Sequence, residues 1–353
     1  DPLSVPIDHD SGDGEVIVGG SGAVSGIVIL ERRVNFPSAN AGATVELAGQ
    51  SQVTGDNGSF TFSDVPVGTY QIRVTHPSYL PTWGEVAVTS GVTQPLPAVT
   101  LLGGDCSAAQ GSIDGVDAVA VGLAWGAGPG DGHWNANADI RDDSNINVND
   151  LVAVKFNWGT NEPGPWTGMA AAASGAETLQ QSGGVQSLAA LRTAEAGVVI
   201  SPTIITTSVG MPATVEVWVQ DVEDLYGAGF QIRFDWGLVQ VEDANSFEAG
   251  VQIESGGFLK RQLEVVHTVD NETGRIHFFV SQRHPETAKS GSGVLARISF
   301  TGIAEGTATI HFDNVQLVDD SEDVIPASTQ DGTVVIESGY QIMLPVVHRA
   351  YTP

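Results

Sequence analysis

The stretch "ADIRDDSNINVNDLVAVKFNWGT", residues 138–160, sets four Asp and four Asn around the start of an apolar run that ends at Trp-Gly. The polar part is loop chemistry. The apolar part reads as a helix of about ten residues, and Gly159 is its stop, because glycine accepts the left-handed backbone at a helix end. The pattern occurs once more upstream. "GSIDGVDAVAVGLAWG" at 111–126 lies over "SNINVNDLVAVKFNWG" at 144–159 with an offset of 33, and seven of sixteen positions are identical. A repeat of this kind is one supersecondary unit used twice, so residues 103–165 are expected to form a pair of loop–helix units.

The loop carries candidate metal ligands. An EF-hand-type loop needs oxygens at positions 1, 3, 5, 7 and 12, the seventh through its backbone carbonyl. With Asp139 as position 1, Asp143 falls at 5, Asn145 at 7, apolar Ile146 at 8 and Asp150 at 12. Asp150 then sits in the helix's first turn, where the dipole favours a carboxylate. Two positions depart from the pattern: Arg141 stands at 3, so that Asp142 or a water must fill that side, and Ser144 stands at 6 in place of Gly. An acidic loop that folds without metal is the alternative. In the first copy, Asp117 at position 12 puts Cys106, Ala108 and Gln110 at positions 1, 3 and 5. Only a one-residue insertion brings Asp105 into first place, with Ser107 near the third. Asp105 and Asp117 are therefore the ligands of a weaker second site, and a metal-free turn is the plainer reading. The paired unit resembles a dockerin, a family that binds calcium and docks onto cohesins. The resemblance implies Ca2+ as a cofactor and a cohesin as a partner.

Upstream, residues 22–102 alternate as short strands: "SGIVILERR", "ATVELAG", "SFTFSDV", "TYQIRVTH", "GEVAVTSG" and "LPAVTLL". Such spacing predicts a β-sandwich of six or seven strands. Asp56-Asn57-Gly58 and Pro66-Val67-Gly68 are its turns. Thr54, Gly58, Phe60, Pro66, Gly68 and Tyr70 resemble the pattern of carboxypeptidase-regulatory-like and collagen-adhesin B-type (transthyretin-like) domains. Some relatives carry a Lys–Asn crosslink, but no Lys precedes Lys155. Residues 1–21 read as an extended N-terminal segment.

Downstream, residues 166–196 are rich in Ala, Ser, Gly and Gln and read as a linker. Alternation returns over 197–338, predicting around nine strands of a jelly-roll sandwich. "GMPATVEVWV", "GAGFQIRFDWGLVQVEDA", "GSGVLARISF", "EGTATIHF" and "DGTVVIE" resemble a cohesin in order and spacing. The tail at 339–353, "GYQIMLPVVHRAYTP", is apolar and reads as a strand seeking an edge, its own or a neighbour's. The expected fold class is mainly β, with transthyretin-like and cohesin-like sandwiches flanking a small α-helical, dockerin-like, EF-hand-type module.

The 353 residues carry 42 Asp and Glu against 14 Lys and Arg, a net charge of -28. A nucleic-acid backbone or an anionic membrane surface repels such a chain, and cations suit it. Single Cys106 excludes an intrachain disulfide. No run approaches the ~20 apolar residues of a membrane helix. An Asp at residue 1, few Lys, and sequons at Asn57 and Asn271 point to a mature secreted or surface protein. Eight scattered His, with no H-E-x-x-H, G-x-S-x-G or phosphate loop, predict no enzyme. The pair Asp235 and Glu242 and the lone His277 read as strand residues. Trp125 and Trp158 close helices and read as packing, so a carbohydrate partner is not expected.

The resemblances place both halves of a docking pair in one chain. They imply a structural subunit that joins head to tail with copies of itself into an extracellular filament or surface assembly. The alternatives are a cellulosome-like adaptor for other proteins' cohesins and dockerins, or a clasp closed within one chain.

Overall fold

The computed structural model describes residues 19–34, 39–108, 111–164, 166, 196–260 and 262–338. Most of the expected N-terminal segment and linker, and the whole C-terminal strand, lie outside these residues.

The first sandwich holds β1 (Ser21–Leu30), β2 (Thr44–Leu47), β3 (Gln50–Val53), β4 (Ser59–Pro66), β5 (Gly68–His76), β6 (Tyr79–Val88), β7 (Thr93–Pro95) and β8 (Val99–Leu101). One sheet runs β4-β1-β7, with β8 also on β1, and the other runs β3-β2-β5-β6. Alternation decides the core: in β4 Phe60 and Phe62 point inward between exposed Ser59, Thr61 and Ser63. They meet Val24 and Val28 of β1, and Val45, Leu47, Ile72 and Val74 of the facing sheet. Gly58 turns the chain with φ +77°, and a Cβ there would stand 1.9 Å from the Val28 carbonyl oxygen, so only glycine fits.

The middle unit has α1 (Gly115–Leu123) and α2 (Val148–Phe156). Both start on the same capping box: Asp114 and Asn147 cap, and Asp117 and Asp150 at the third helical position accept the cap residue's own amide, each at 2.9 Å. Gly126 and Gly159 follow the helices with φ +81° and +78°. The copies are cross-laced. Ile113 of the first loop exchanges hydrogen bonds with Gly159 and Thr160 beyond α2, and Ile146 of the second loop does so with Gly126 and Ala127 beyond α1. Neither copy is complete without the other.

The second sandwich holds β9 (Ala196–Ser201), β10 (Ile204–Ser208), β11 (Pro212–Phe234), β12 (Val239–Val241), β13 (Glu254–Ser255), β14 (Leu263–Asp270), β15 (Arg275–Ser281), β16 (Lys289–Gly302), β17 (Gly306–Asp319), β18 (Val324–Ile325), β19 (Ala327–Gln330) and β20 (Gly332–Glu337). The long β11 belongs to both layers. Its first half pairs with β9 and β16, and its second half with β15 and β17. Register shifts between Val219 and Leu225, with Asp221 and Asp224 at positive φ, bend it from one layer to the other. The second layer runs β10-β20-β17-β11-β15-β14.

The middle unit is the joint. Its helices share one continuous core with the first sandwich and with Tyr226, Leu263, Val265, Phe279 and Val318 of the second. Trp166, expected in the linker, is buried against the first sandwich, its indole N–H donating to the Pro97 carbonyl at 3.2 Å.

Candidate functional site

In an antiparallel sheet packed on a core by one face, the other face is ordinarily wet. The β10–β14 layer departs from this. Its inward side chains, Ala228, Phe230, Phe278, Val280 and Leu317, fill the sandwich core. Its outward row holds Gly227, Gly229, Phe279, Ser281, Gln316 and Val318, and α1 lies upon it. Four glycines make the approach possible. A Cβ on Gly227 would stand 2.5 Å from Val119 Cγ2 of α1, and one on Gly229 would stand 2.4 Å from the Phe279 ring. On the helix, a Cβ on Gly115 would meet that ring at 2.3 Å, and one on Gly122 the Gln282 carbonyl oxygen at 2.4 Å. Hydrogen bonds fix the register: the Gly115 amide donates to Gln316 Oε1 at 3.0 Å, and the His284 amide to the Gly122 carbonyl at 2.9 Å. At the rim, the His133 and His284 rings stack at 3.9 Å, and the Arg283 guanidinium lies 5.5 Å from the Trp125 ring centre.

The helices therefore have different fates. Eight of nine residues of α1 are buried, against four of nine in α2. Where α1 has Gly115, Val119, Gly122 and Leu123, α2 has Val148, Val152, Lys155 and Phe156, and Phe156 is 71% exposed under the guanidinium of Arg32. This difference between the copies is the sequence signal for which helix is seated, and motif reading passed over it.

The acidic residues lie at the two ends of this joint. In the second loop, Asp139 accepts the amides of Asp143 and Ser144 at 3.1 and 2.9 Å, and Ser144 takes the left-handed backbone, φ +63°. Asp150 accepts the amides of Arg141 and Asn147. The Asn145 carbonyl accepts from the Asn147 side chain. Arg141 turns onto Asp143, Nε to Oδ2 at 3.5 Å, while Arg33 of the first sandwich reaches Asp142 at 2.6 Å. In the first loop, Asp105 accepts the amide of Gly111, itself at φ +113°, as Asp139 accepts that of Ser144. The structure thus makes Asp105 the counterpart of Asp139, with one residue inserted between carboxylate and turn. Asp117 is the counterpart of Asp150, accepting the Cys106, Ser107 and Asp114 amides.

Burial governs the charge of these groups. Burial, opposed by amide donors and aided by neighbouring carboxylates, brings Asp105 and Asp117 up to about 7 and Asp150 to about 6. Asp139 is raised for the same reasons. Among the described residues no three His, Cys, Asp or Glu side chains converge into a preformed cluster. The donor chemistry nevertheless fits a divalent cation, since buried carboxylates raised by burial and by like charge are what such an ion relieves. Asp139, Asp143, Asn145 and Asp150 would hold it in one loop, after Arg141 leaves Asp143, and Asp105 and Asp117 in the other.

The first sandwich grips the second loop. Tyr79 Oη lies 2.9 Å from the Glu31 carbonyl oxygen and 3.0 Å from that of Ile140, and Asn157 Nδ2 donates to Glu31 Oε2 at 2.6 Å. Beside it His76, depressed to about 4 by burial and then by Arg33, is neutral. Among the described residues, no helix is long and apolar enough to cross a membrane.

Residues 24–102 match the family model of the carboxypeptidase regulatory-like domain. No curated protein matches the sequence. Similar solved structures include a type II cohesin-X-dockerin complex from Acetivibrio cellulolyticus, 26% identical, covering 40% of this chain and 97% of that one, TM-score 0.36. Another is a non-cellulosomal cohesin from the archaeon Archaeoglobus fulgidus, 15% identical, covering 41% and 93%, TM-score 0.34. A third is a type I cohesin–dockerin complex from Clostridium thermocellum, 16% identical, covering 41% and 100%, TM-score 0.33.

Proposed function

We propose that the protein is a non-catalytic, extracellular structural subunit whose docking unit is the helix α1 seated on the outer face of the β10–β14 layer. The observation that carries this is the glycine-lined fit of α1 to that face. Here the contact closes within one chain. The segment 167–195 joins its two halves, and a contact that closes within a chain also closes between chains when neighbours exchange halves. Reciprocal exchange closes a dimer, and open-ended exchange, with each chain's α1 seated on the next chain's sheet, is head to tail and builds rings or filaments. Calcium in the paired loops would brace the helix that docks.

Light scattering and electron microscopy over a range of protein concentration, with calcium and with chelator, test the reading. Concentration-dependent rings or filaments are expected. Only closed monomers under every condition would leave the clasp as an internal joint and defeat the assembly. A second reading, an adaptor for other proteins' cohesin-like sheets, is favoured by the exposed Val148, Val152 and Phe156 of α2. Pull-down of foreign cohesins, abolished by Phe156→Asp, separates it from self-assembly.

A further inference from the structure

The seated helix covers only part of the outer sheet face. Next to its N-terminus a cleft of about 310 Å³ opens between Asp114, the Trp158-Gly159 corner beyond α2, and strands β11, β15 and β17. We propose that this cleft binds a neutral sugar. Its volume is at the lower end for small-molecule sites, room for one or two sugar rings. Gln231, His277 and Asn314 line the sheet side, and the half-buried Trp158 ring, backed by the buried Phe279 with ring centres 5.1 Å apart, forms an apolar wall. Gly229 beneath contributes no side chain.

The lining chemistry selects the ligand class. Among the described residues no Lys or Arg lines the cleft, so none of them neutralises a phosphate or carboxylate there. The one carboxylate among the described lining residues, Asp114, already accepts the Val116 amide at 2.8 Å and the Ser112 hydroxyl at 2.9 Å, so these residues make no cage for a metal. Each amide offers both a donor and an acceptor, and a neutral imidazole offers one of each. Burial, and then Arg275, lowers His277, which keeps it in that form. Paired donors and acceptors beside the Trp158 ring match a molecule with hydroxyls around its edge and C–H groups on its faces. The arrangement was hidden in the sequence, because Trp158 reads as a helix stop until the fold sets it beside Phe279.

Asp114, Trp158 and Gly159 come from the middle unit and the rest from the second sandwich, so the cleft exists only while α1 is seated. The inference therefore rests on the closed contact, and a bound sugar stabilises that contact by mass action. The test is calorimetric titration of the full chain with glucose, galactose, mannose, N-acetylglucosamine and cellobiose, with glucuronate and glucose 1-phosphate as charged probes. Solution scattering is run on the same sample. At least one neutral sugar is expected to saturate with Kd on the order of millimolar. Asn314→Ala and Gln231→Ala should each weaken it by about fivefold, the worth of one hydrogen bond. A closed chain that binds no neutral sugar, that prefers a charged probe, or that binds equally well in both variants overturns the inference alone. An open chain overturns both it and the docking contact.

Discussion

Substituting Gly227 by Ala tests the docking contact where α1 lies directly on β11. The added Cβ would stand 2.5 Å from Val119 Cγ2 and 3.1 Å from Phe279 Cζ. The first distance is about 1 Å inside the ~3.5–4.0 Å optimum for two carbons. Neither neighbour yields freely: both are buried, and a β-branched side chain in a helix is confined to one rotamer. The helix must lift or the strand must bend, at a cost of ~1–3 kcal/mol, typical of an overpacked core. Val119→Ala alone leaves a void and also destabilises. In the Gly227→Ala background it removes the clashing methyl, so the double variant should be less destabilised than the sum of the singles by at least ~1 kcal/mol. Gly237→Ala, whose Cβ would meet nothing within 4 Å, is the control and should move stability by less than ~0.5 kcal/mol. Urea denaturation followed by tryptophan fluorescence reads the energies, and hydrogen exchange at α1 amides reads where the chain loosens. Additive singles, or a Gly237 variant as unstable as the Gly227 one, would refute the packing argument.

Three further outcomes follow from the joint. Arg141→Asn removes the guanidinium that turns onto Asp143 and supplies an oxygen at the third loop position, so calorimetry should give calcium binding at least about tenfold tighter than in the parent chain. The pH dependence has an unusual sign. Asp105 and Asp117 at about 7 lie above their unfolded range, so between pH 4 and 7 the native state binds more protons and metal-free stability falls as pH rises, levelling off above 7. Thermal melts at pH 5 and 8 in chelator should show the lower Tm at pH 8, with calcium restoring it, since the ion needs the deprotonated carboxylates. At the first sandwich, Asn157→Ala leaves Glu31 Oε2 without its shortest donor and should cost ~1–3 kcal/mol by denaturation.

The repeat, the glycine helix stop and the strand alternation were legible because each is a local rule. Ile113, Ile146, Gly126 and Gly159 recur at fixed spacing in the sequence, and their cross-laced hydrogen bonds are a direct consequence. The insertion that makes Asp105 the partner of Gly111 needed geometry to decide, because a loop tolerates one extra residue that spacing alone does not show and that the carboxylate–amide bond reveals. The seating of α1 was illegible for another reason. Gly227 and Gly229 look like bulge or turn residues within a strand. Only the facing Gly115 and Gly122, far away in sequence, turn them into one side of a close approach.

The two loops, near copies of each other, are tied to different neighbours. The second loop holds the first sandwich through Arg33 to Asp142 and through the Val34 amide to the Arg141 carbonyl at 3.1 Å. The first loop faces the second sandwich, where Glu322 accepts the Ala108 amide at 3.3 Å. Asp117 binds that loop's Cys106 and Ser107 amides and also closes the capping box of the docked helix. A proton or cation taken up by Asp117 therefore acts on the first turn of α1, close to the Gly115–Gln316 bond that holds it on the sheet. Asp150 has the same role in α2, which is tied to Glu31 of the first sandwich through Asn157 at its C-cap and also touches β14 of the second. Disabling the loops separately should thus loosen different joints. In hydrogen exchange, Asp117→Asn should free amides of α1 and β15 while those around Tyr79 stay protected, and Asp150→Asn should do the reverse. Equal loosening of both joints by either variant would mean that the middle unit unfolds as one body and transmits nothing selectively.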